Sequence, residues 1–382
     1  MNVPYRVLLV VGARPNFMKI APIVRELQAS PDVFAWHLVH TGQHYDAAMS
    51  SVFFEQLQLP RPDVDLEVGS GSHAQQTAAI MAAFEPVLAD WSPDLVLVVG
   101  DVNSTLACAL VAAKLGTPVA HVEAGLRSFD RSMPEEINRV LTDQLSDLLF
   151  VTETSAIDNL AREGVPSLRV HFVGNVMIDT LLAHRDAARQ LRVADGLGLT
   201  RSGYAVLTLH RPSNVDDPAT LERLFTGIAR VAGDLPVVFP VHPRSRPALV
   251  SSPTVSRLVR ESRLRLLDPL GYLEFIGLLD DSACVLTDSG GVQEESTVLR
   301  VPCLTLRENT ERPVTVTHGT NRVVGIGADS IASAWSDLRA AQLPSSIPPL
   351  WDGGAARRIV SVLRQHAGTT SVRLHEGQGA LS

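Results

Sequence analysis

Two apolar runs in this chain, residues 95–99 and 119–122, each lead straight into an acid: Gly100-Asp101 after the first, Glu123 after the second. A third acidic cluster, Glu135-Glu136, follows Pro134 where a helical pattern starts. In an open parallel sheet, ligands bind just beyond the carboxyl ends of the strands. Carboxylates at two such ends and at a helix start therefore predict one acidic site. What it acts on has to be read from the second half of the chain.

There, Asp288-Ser289-Gly290-Gly291 separates a strand-like run from a helix starting near Val292. Glycines let a backbone approach a ligand closely, and the free N–H groups of a helix start suit a phosphate, as does the hydroxyl of Ser289. The same four residues also serve as a plain strand-to-helix turn. Glu295, about one helical turn on, is spaced to accept hydrogen bonds from ribose hydroxyls; the bland alternative is a solvated helix face. Arg312, in Glu311-Arg312-Pro313, offers a guanidinium to a phosphate or else makes a surface ion pair. His210 follows a buried-looking strand. It either caps a turn or faces a diphosphate and donates to a leaving phosphate oxygen. The neighbouring Arg211 and the strand end favour the second role. His242 and Arg244 hold a similar position one strand over.

At the exit of the first strand stand Arg14 and Lys19. The turn reads GARPNF, not GxGxxG, which argues against a dinucleotide site there. Arg14 reads as a direct phosphate or sugar contact. Lys19 and Lys114 are the only lysines among 33 basic residues. Codon bias explains the arginine total, but a surviving lysine on the first turn after that strand leans towards a site role. The 12 histidines and three cysteines show no HExxH, CxxC or Cys/His spacing, so no metal is expected. GxSxG is absent.

These residues need a frame. Apolar runs at 5–11, 33–40, 64–68, 95–99, 119–122 and 148–151 alternate with helical segments, including 72–89 with Ser72 as a cap. The pattern pauses at 170–175. A second series of runs lies at 205–209, 237–241, 264–267, 284–287, 303–306 and 322–326. Repeated βα units imply parallel sheets with helices on both faces. The expected fold is α/β, with two doubly wound Rossmann-like domains and the active site in the cleft between them. We place the first domain at 1–172 and the second at 173–354. A last helix at about 355–365 packs back on the first domain, ahead of a mobile tail. Net charge of −8 argues against a large nucleic-acid face. No run is long enough to span a membrane, no signal peptide is evident, and the unpaired cysteines suit a reducing, cytoplasmic setting.

The motifs GARPNFMKIAP, TGQHYD, GDVNSTLA, HVEAGLRS, MPEEINR, GN-x-x-IDTL, PVHPR, LTDSGGVQEES and ERPVTVTHGTNRVVG stand in the order found in non-hydrolysing UDP-N-acetylglucosamine 2-epimerases. The chain resembles that family from about residue 5 to 330. The resemblance implies a GT-B-like arrangement, a homodimer, no cofactor, and interconversion of UDP-GlcNAc and UDP-ManNAc. UDP leaves C1, a C2 proton is removed to give a 2-acetamidoglucal, and the steps reverse from the other face. Carried over, Asp101, Glu123 and Glu135 match the catalytic acids, and His210 the histidine that assists UDP departure. Arg14, Lys19, Ser289, Gly290, Gly291, Glu295 and Arg312 match UDP-sugar contacts, as do Arg139 and Phe275. The chain departs from the family pattern at Asn16, where many members carry an acid, and at Asp46, Pro212 and Leu270. These changes leave room for a modified substrate such as a 2,3-diacetamido uronate nucleotide, and bear on activation by a second UDP-GlcNAc. Rival readings are a hydrolysing epimerase, a GT-B glycosyltransferase and a silent UDP-sugar sensor.

Overall fold

The β-branched and leucine-rich runs form fully buried parallel strands, as continuous apolar segments do when helices cover both faces of a sheet. In the computed structural model, which describes residues 3–42, 54–241, 245–340 and 346–379, the chain divides into two compact units. The first is 1–180 with 349–382; the second is 181–348. The QHYD segment, His242 and Arg244 lie outside the described residues, as does the Arg14 side chain.

The first unit holds β1 (Tyr5–Val11), β2 (Phe34–His40), β3 (Val64–Asp65), β4 (Leu95–Val99), β5 (Val119–Ala124), β6 (Leu148–Val151) and β7 (Val170–Phe172). They form one sheet in the order β3-β2-β1-β4-β5-β6-β7, every pair parallel. The second unit holds β8 (Ala205–Thr208), β9 (Val237–Pro240), β10 (Leu264–Leu267), β11 (Cys284–Thr287), β12 (Cys303–Thr305) and β13 (Asn321–Val323). Their order, β10-β9-β8-β11-β12-β13, repeats that of the first sheet's leading six strands. In each sheet the order in which strands are added reverses once, between β1 and β4 and between β8 and β11. Such a switch point opens a crevice at the strands' carboxyl ends.

Helix ends follow local chemistry. Ser72 caps His73–Trp91 with a reciprocal box: its hydroxyl accepts from the Gln75 amide, and Gln75 Oε1 accepts from the Ser72 amide. Asp217 caps Pro218–Asp234 by accepting from the Thr220 amide. In the first unit, Asp179 accepts from the amides of Ala355 and Ala356 and so seats the C-terminal helix. That helix runs Ala355–Gly379, well beyond the expected stop near 365. Two edge strands also differ from expectation. β3 stops at Asp65, because Glu67 turns into the left-handed region at φ 51°. The pause expected at 170–175 contains β7, three residues being too few to show a pattern. Among the described residues no helix is long and apolar enough to cross a membrane.

Candidate active site

In the first unit, β4 and β5 are neighbours with Val99 opposite Val122, so Gly100-Asp101 and Glu123 leave the sheet side by side. Glu123 is no ordinary strand residue. The register with β6 skips it, which makes it a bulge, and its φ is 76°. A non-glycine side chain in the left-handed region costs about 1–3 kcal/mol and persists only where its surroundings over-determine it. Here the carboxylate is buried against the ammonium of Lys19, also buried. Gly100 makes room for that pair: at φ 71°, an added Cβ would lie 2.9 Å from Lys19 Nζ and 3.6 Å from Glu123 Oε2. Lys19, expected as a UDP-sugar contact, is also the ion-pair partner of one of the acids.

Asp101 is gripped by Arg139, whose Nε and Nη2 donate to Oδ2 at 3.0 and 2.6 Å. Arg139 Nη1 also reaches Glu136 Oε2 at 3.0 Å. Arg139, expected as a UDP-sugar contact, is buried and ties two carboxylates together. The two adjacent glutamates divide their work. Glu136 is buried and accepts from the Ser128 amide and hydroxyl and from the Phe129 amide. Glu135 stays half-buried, and its carboxylate carries no hydrogen bond among the described residues. Both stand in the first turn of Pro134–Leu145, where the helix dipole favours anions.

Asn16, the departure from the family pattern, closes the turn after β1. Its Oδ1 accepts from the Gly12 and Ala13 amides at 3.2 and 2.9 Å, and its Nδ2 donates to the Val99 carbonyl at 3.1 Å. An acid could accept the first two bonds but could not donate the third.

In the second unit, the turn after β8 is closed from β11. Asp288 is fully buried and accepts from the His210 amide, the Arg211 amide and Asn214 Nδ2. It also meets His210 Nδ1 at 2.7 Å. Burial alone would raise the Asp288 pKa, but the hydrogen bonds and charge of His210, with the two amides, hold it below the usual carboxylate value. His210 itself is 58% exposed, which leaves Nε2 turned outward. Sequence reading passed over Asp288, although an acid at a strand's carboxyl end is the same signal that picked out Asp101.

Ser289 caps Gly290–Leu299, and its hydroxyl takes no hydrogen bond among the described residues. The first amides of this helix, at Gly290 and Gly291, have no intrahelical acceptor, a geometry that suits an anion. Arg312 Nε is committed to Glu294, so its guanidinium is anchored to that same helix. Arg307 grips Glu311 through both Nη atoms, and Arg211 Nη2 reaches Glu311 at 3.4 Å. Glu295 does not lie on a solvated face. It is buried beside Glu294 and hydrogen-bonded to Tyr272. Desolvation, and then the Glu294 charge, push its carboxyl up to about 8. Phe275 is half-buried on Tyr272–Asp280.

A family model for UDP-N-acetylglucosamine 2-epimerase matches residues 25–364. The chain belongs to the UDP-N-acetylglucosamine 2-epimerase family. The UDP-N-acetylglucosamine 2-epimerase of Methanocaldococcus jannaschii is 41% identical over 360 residues, which cover 93% of this chain and 98% of that protein. The UDP-2,3-diacetamido-2,3-dideoxy-D-glucuronate 2-epimerase of Pseudomonas aeruginosa is 44% identical over 333 residues, 86% of this chain and 91% of that one. Among solved structures, the M. jannaschii epimerase in complex with UDP-GlcNAc and UDP superposes with a TM-score of 0.87 over 94% of this family member and 99% of that chain.

Proposed function

We propose that this 2-epimerase family member interconverts UDP-GlcNAc and UDP-ManNAc without hydrolysis. The observation that carries the reading furthest is the His210–Asp288 pair beside the Ser289-Gly290-Gly291 turn. A buried carboxylate on Nδ1 fixes the ring and presents Nε2 to solvent as a proton donor, the arrangement a departing diphosphate oxygen requires. The C1–O bond breaks with its electron pair leaving on UDP. The positive charge developing at C1 acidifies the C2 hydrogen, which a carboxylate removes to leave a C1=C2 double bond. A proton delivered to the opposite face and return of UDP to C1 complete the inversion. Asp101, Glu123 and Glu135 handle the protons. Ser289, Gly290, Gly291 and Arg312 hold the diphosphate, with Arg14, Glu295 and Phe275 on the rest of the nucleotide sugar. Lys19 and Arg139 serve by holding Glu123 and Asp101.

The test is NMR of UDP-GlcNAc with dialysed enzyme in D2O. Deuterium should enter C2 with UDP retained in the product. Protium surviving at C2 after full equilibration overturns the reading, and steady release of free UDP makes the enzyme hydrolytic. The same run with the 2,3-diacetamido uronate nucleotide decides a second reading, which the 44% identity to the P. aeruginosa enzyme favours.

We further read the protein as a cytoplasmic homodimer. Its three cysteines are buried and unpaired. Ile137 and Leu141, one helical turn apart, are each 46% exposed, and Ile137 lines a groove with Ala74, Ala78 and Met81. A monomer in sedimentation at working concentration would exclude the dimer.

A further inference from the structure

Beneath the acids of the first unit lies a charge network that the proposed reaction does not use. His121 and Asp143 are both fully buried. His121 Nδ1 meets Asp143 Oδ1 at 2.7 Å, and Nε2 meets the Gly100 carbonyl at 2.8 Å. The other oxygen, Asp143 Oδ2, accepts from the Gly125 amide at 3.0 Å and from Arg127 Nη2 at 2.6 Å. Arg127 is in turn held by Glu163 through Nε and Nη2.

One carboxylate therefore ties down residues 121 and 125, which bracket the left-handed bulge at Glu123. Through His121 it also holds the peptide immediately before Asp101. The peptide before it is fixed as well, since the Gly100 amide donates to the Val122 carbonyl at 3.0 Å, so Gly100 is held on both sides. The chemistry of the ring is constrained as well. A carbonyl oxygen only accepts, so Nε2 carries a proton.

Stability alone is a poor reason for this arrangement. Burying an ion pair costs desolvation that well-packed apolar side chains of the same volume would avoid. We propose that His121, oriented by Asp143, is a positioning residue that holds Asp101 and Glu123 in working geometry. The inference rests on the epimerase reading above, and it predicts an effect on proton transfer rather than on nucleotide binding.

Two substitutions each keep half of the ring's bonds. The amide nitrogen of His121→Gln can replace Nε2 and still reach the Gly100 carbonyl. That of His121→Asn replaces Nδ1 and reaches only Asp143. His121→Phe keeps the ring volume and makes neither bond. His121→Phe should lower kcat about a hundredfold, with KM and UDP affinity within about threefold of wild type. His121→Gln should recover most of that loss and His121→Asn little of it. Near-wild-type kcat in a folded His121→Phe, or equal losses in the Gln and Asn variants, overturns the proposal. Should the Phe variant not fold, the Gln–Asn contrast still decides. A fourth readout is independent of activity: ¹⁵N spectra of the wild-type imidazoles should show His121 Nε2 protonated, and a bare Nε2 refutes the role. Absence of C2 exchange in wild-type enzyme would instead sink the epimerase reading and leave the ¹⁵N result standing.

Discussion

The two units build the same switch point and close it with different side chains. After β1, the amide of Asn16 accepts two successive backbone N–H groups and donates to the end of β4. After β8, the carboxylate of Asp288, at the end of β11, accepts two successive backbone N–H groups and then has charge left for His210. An amide completes the turn and stops there. A carboxylate completes it and also fixes an imidazole. The surroundings diverge in the same sense. The first unit sets Glu123 and Asp101 in ion pairs at strand exits. The second commits its strand-end acid to main-chain donors, Asn214 and the histidine ring, and leaves helix amides, a hydroxyl and that histidine at the strand ends. On the proposed function, one topology serves as a proton-handling face in one unit and an anion seat in the other, and the choice rests on a few side chains at equivalent places.

The largest effect that tests this division is expected from the acids. Asp101→Asn and Glu123→Gln should each lower kcat by roughly 10²- to 10⁴-fold, the usual worth of a general acid or base, while UDP affinity in calorimetry stays unchanged. A matching loss of UDP affinity would break the division. Exchanging the closing groups comes next. Asp288→Asn should leave the turn after β8 closed, as Asn16 closes the other, yet lower kcat about a hundredfold through loss of the fixed imidazole. A drop in melting temperature with no change in kcat would make Asp288 a turn residue only. The smallest effect concerns Glu295. Its carboxyl is pushed up to about 8 by burial, so its contribution to stability is fully present below the ordinary glutamate range and is lost as pH rises through about 8. Ribose hydroxyls donate to the ionised form. UDP binding near pH 7 should therefore release up to about one proton, read from binding enthalpies in buffers of different ionisation heat. Binding without proton release would remove Glu295 from the nucleotide site.

Strand and helix placement was largely legible because the buried strands are unbroken apolar runs. Residues 95–99, 148–151, 264–267 and 284–287 were read to the residue, whereas the short edge strands β3 and β7 were not. Acids and glycines at strand ends marked both sites for the same reason: apolar sequence stops where the chain meets solvent and ligand. Which of two neighbouring acids faces what was not legible. Glu135 and Glu136 differ by about 100° around a helix, and only packing shows that Glu136 serves the Ser128-Phe129 backbone.

By itself, then, the sequence determined the doubly wound class, the family, and the stretches that carry chemistry, because periodicity and motif order are local properties. Partnership was decided only in three dimensions. Lys19 meets Glu123 across 104 residues, Arg139 meets Asp101 across 38, His121 meets Asp143 across 22, and Asp288 meets His210 across 78. A charge's role depends on which opposite charge or donor the fold brings within about 3 Å, and sequence spacing does not report that distance.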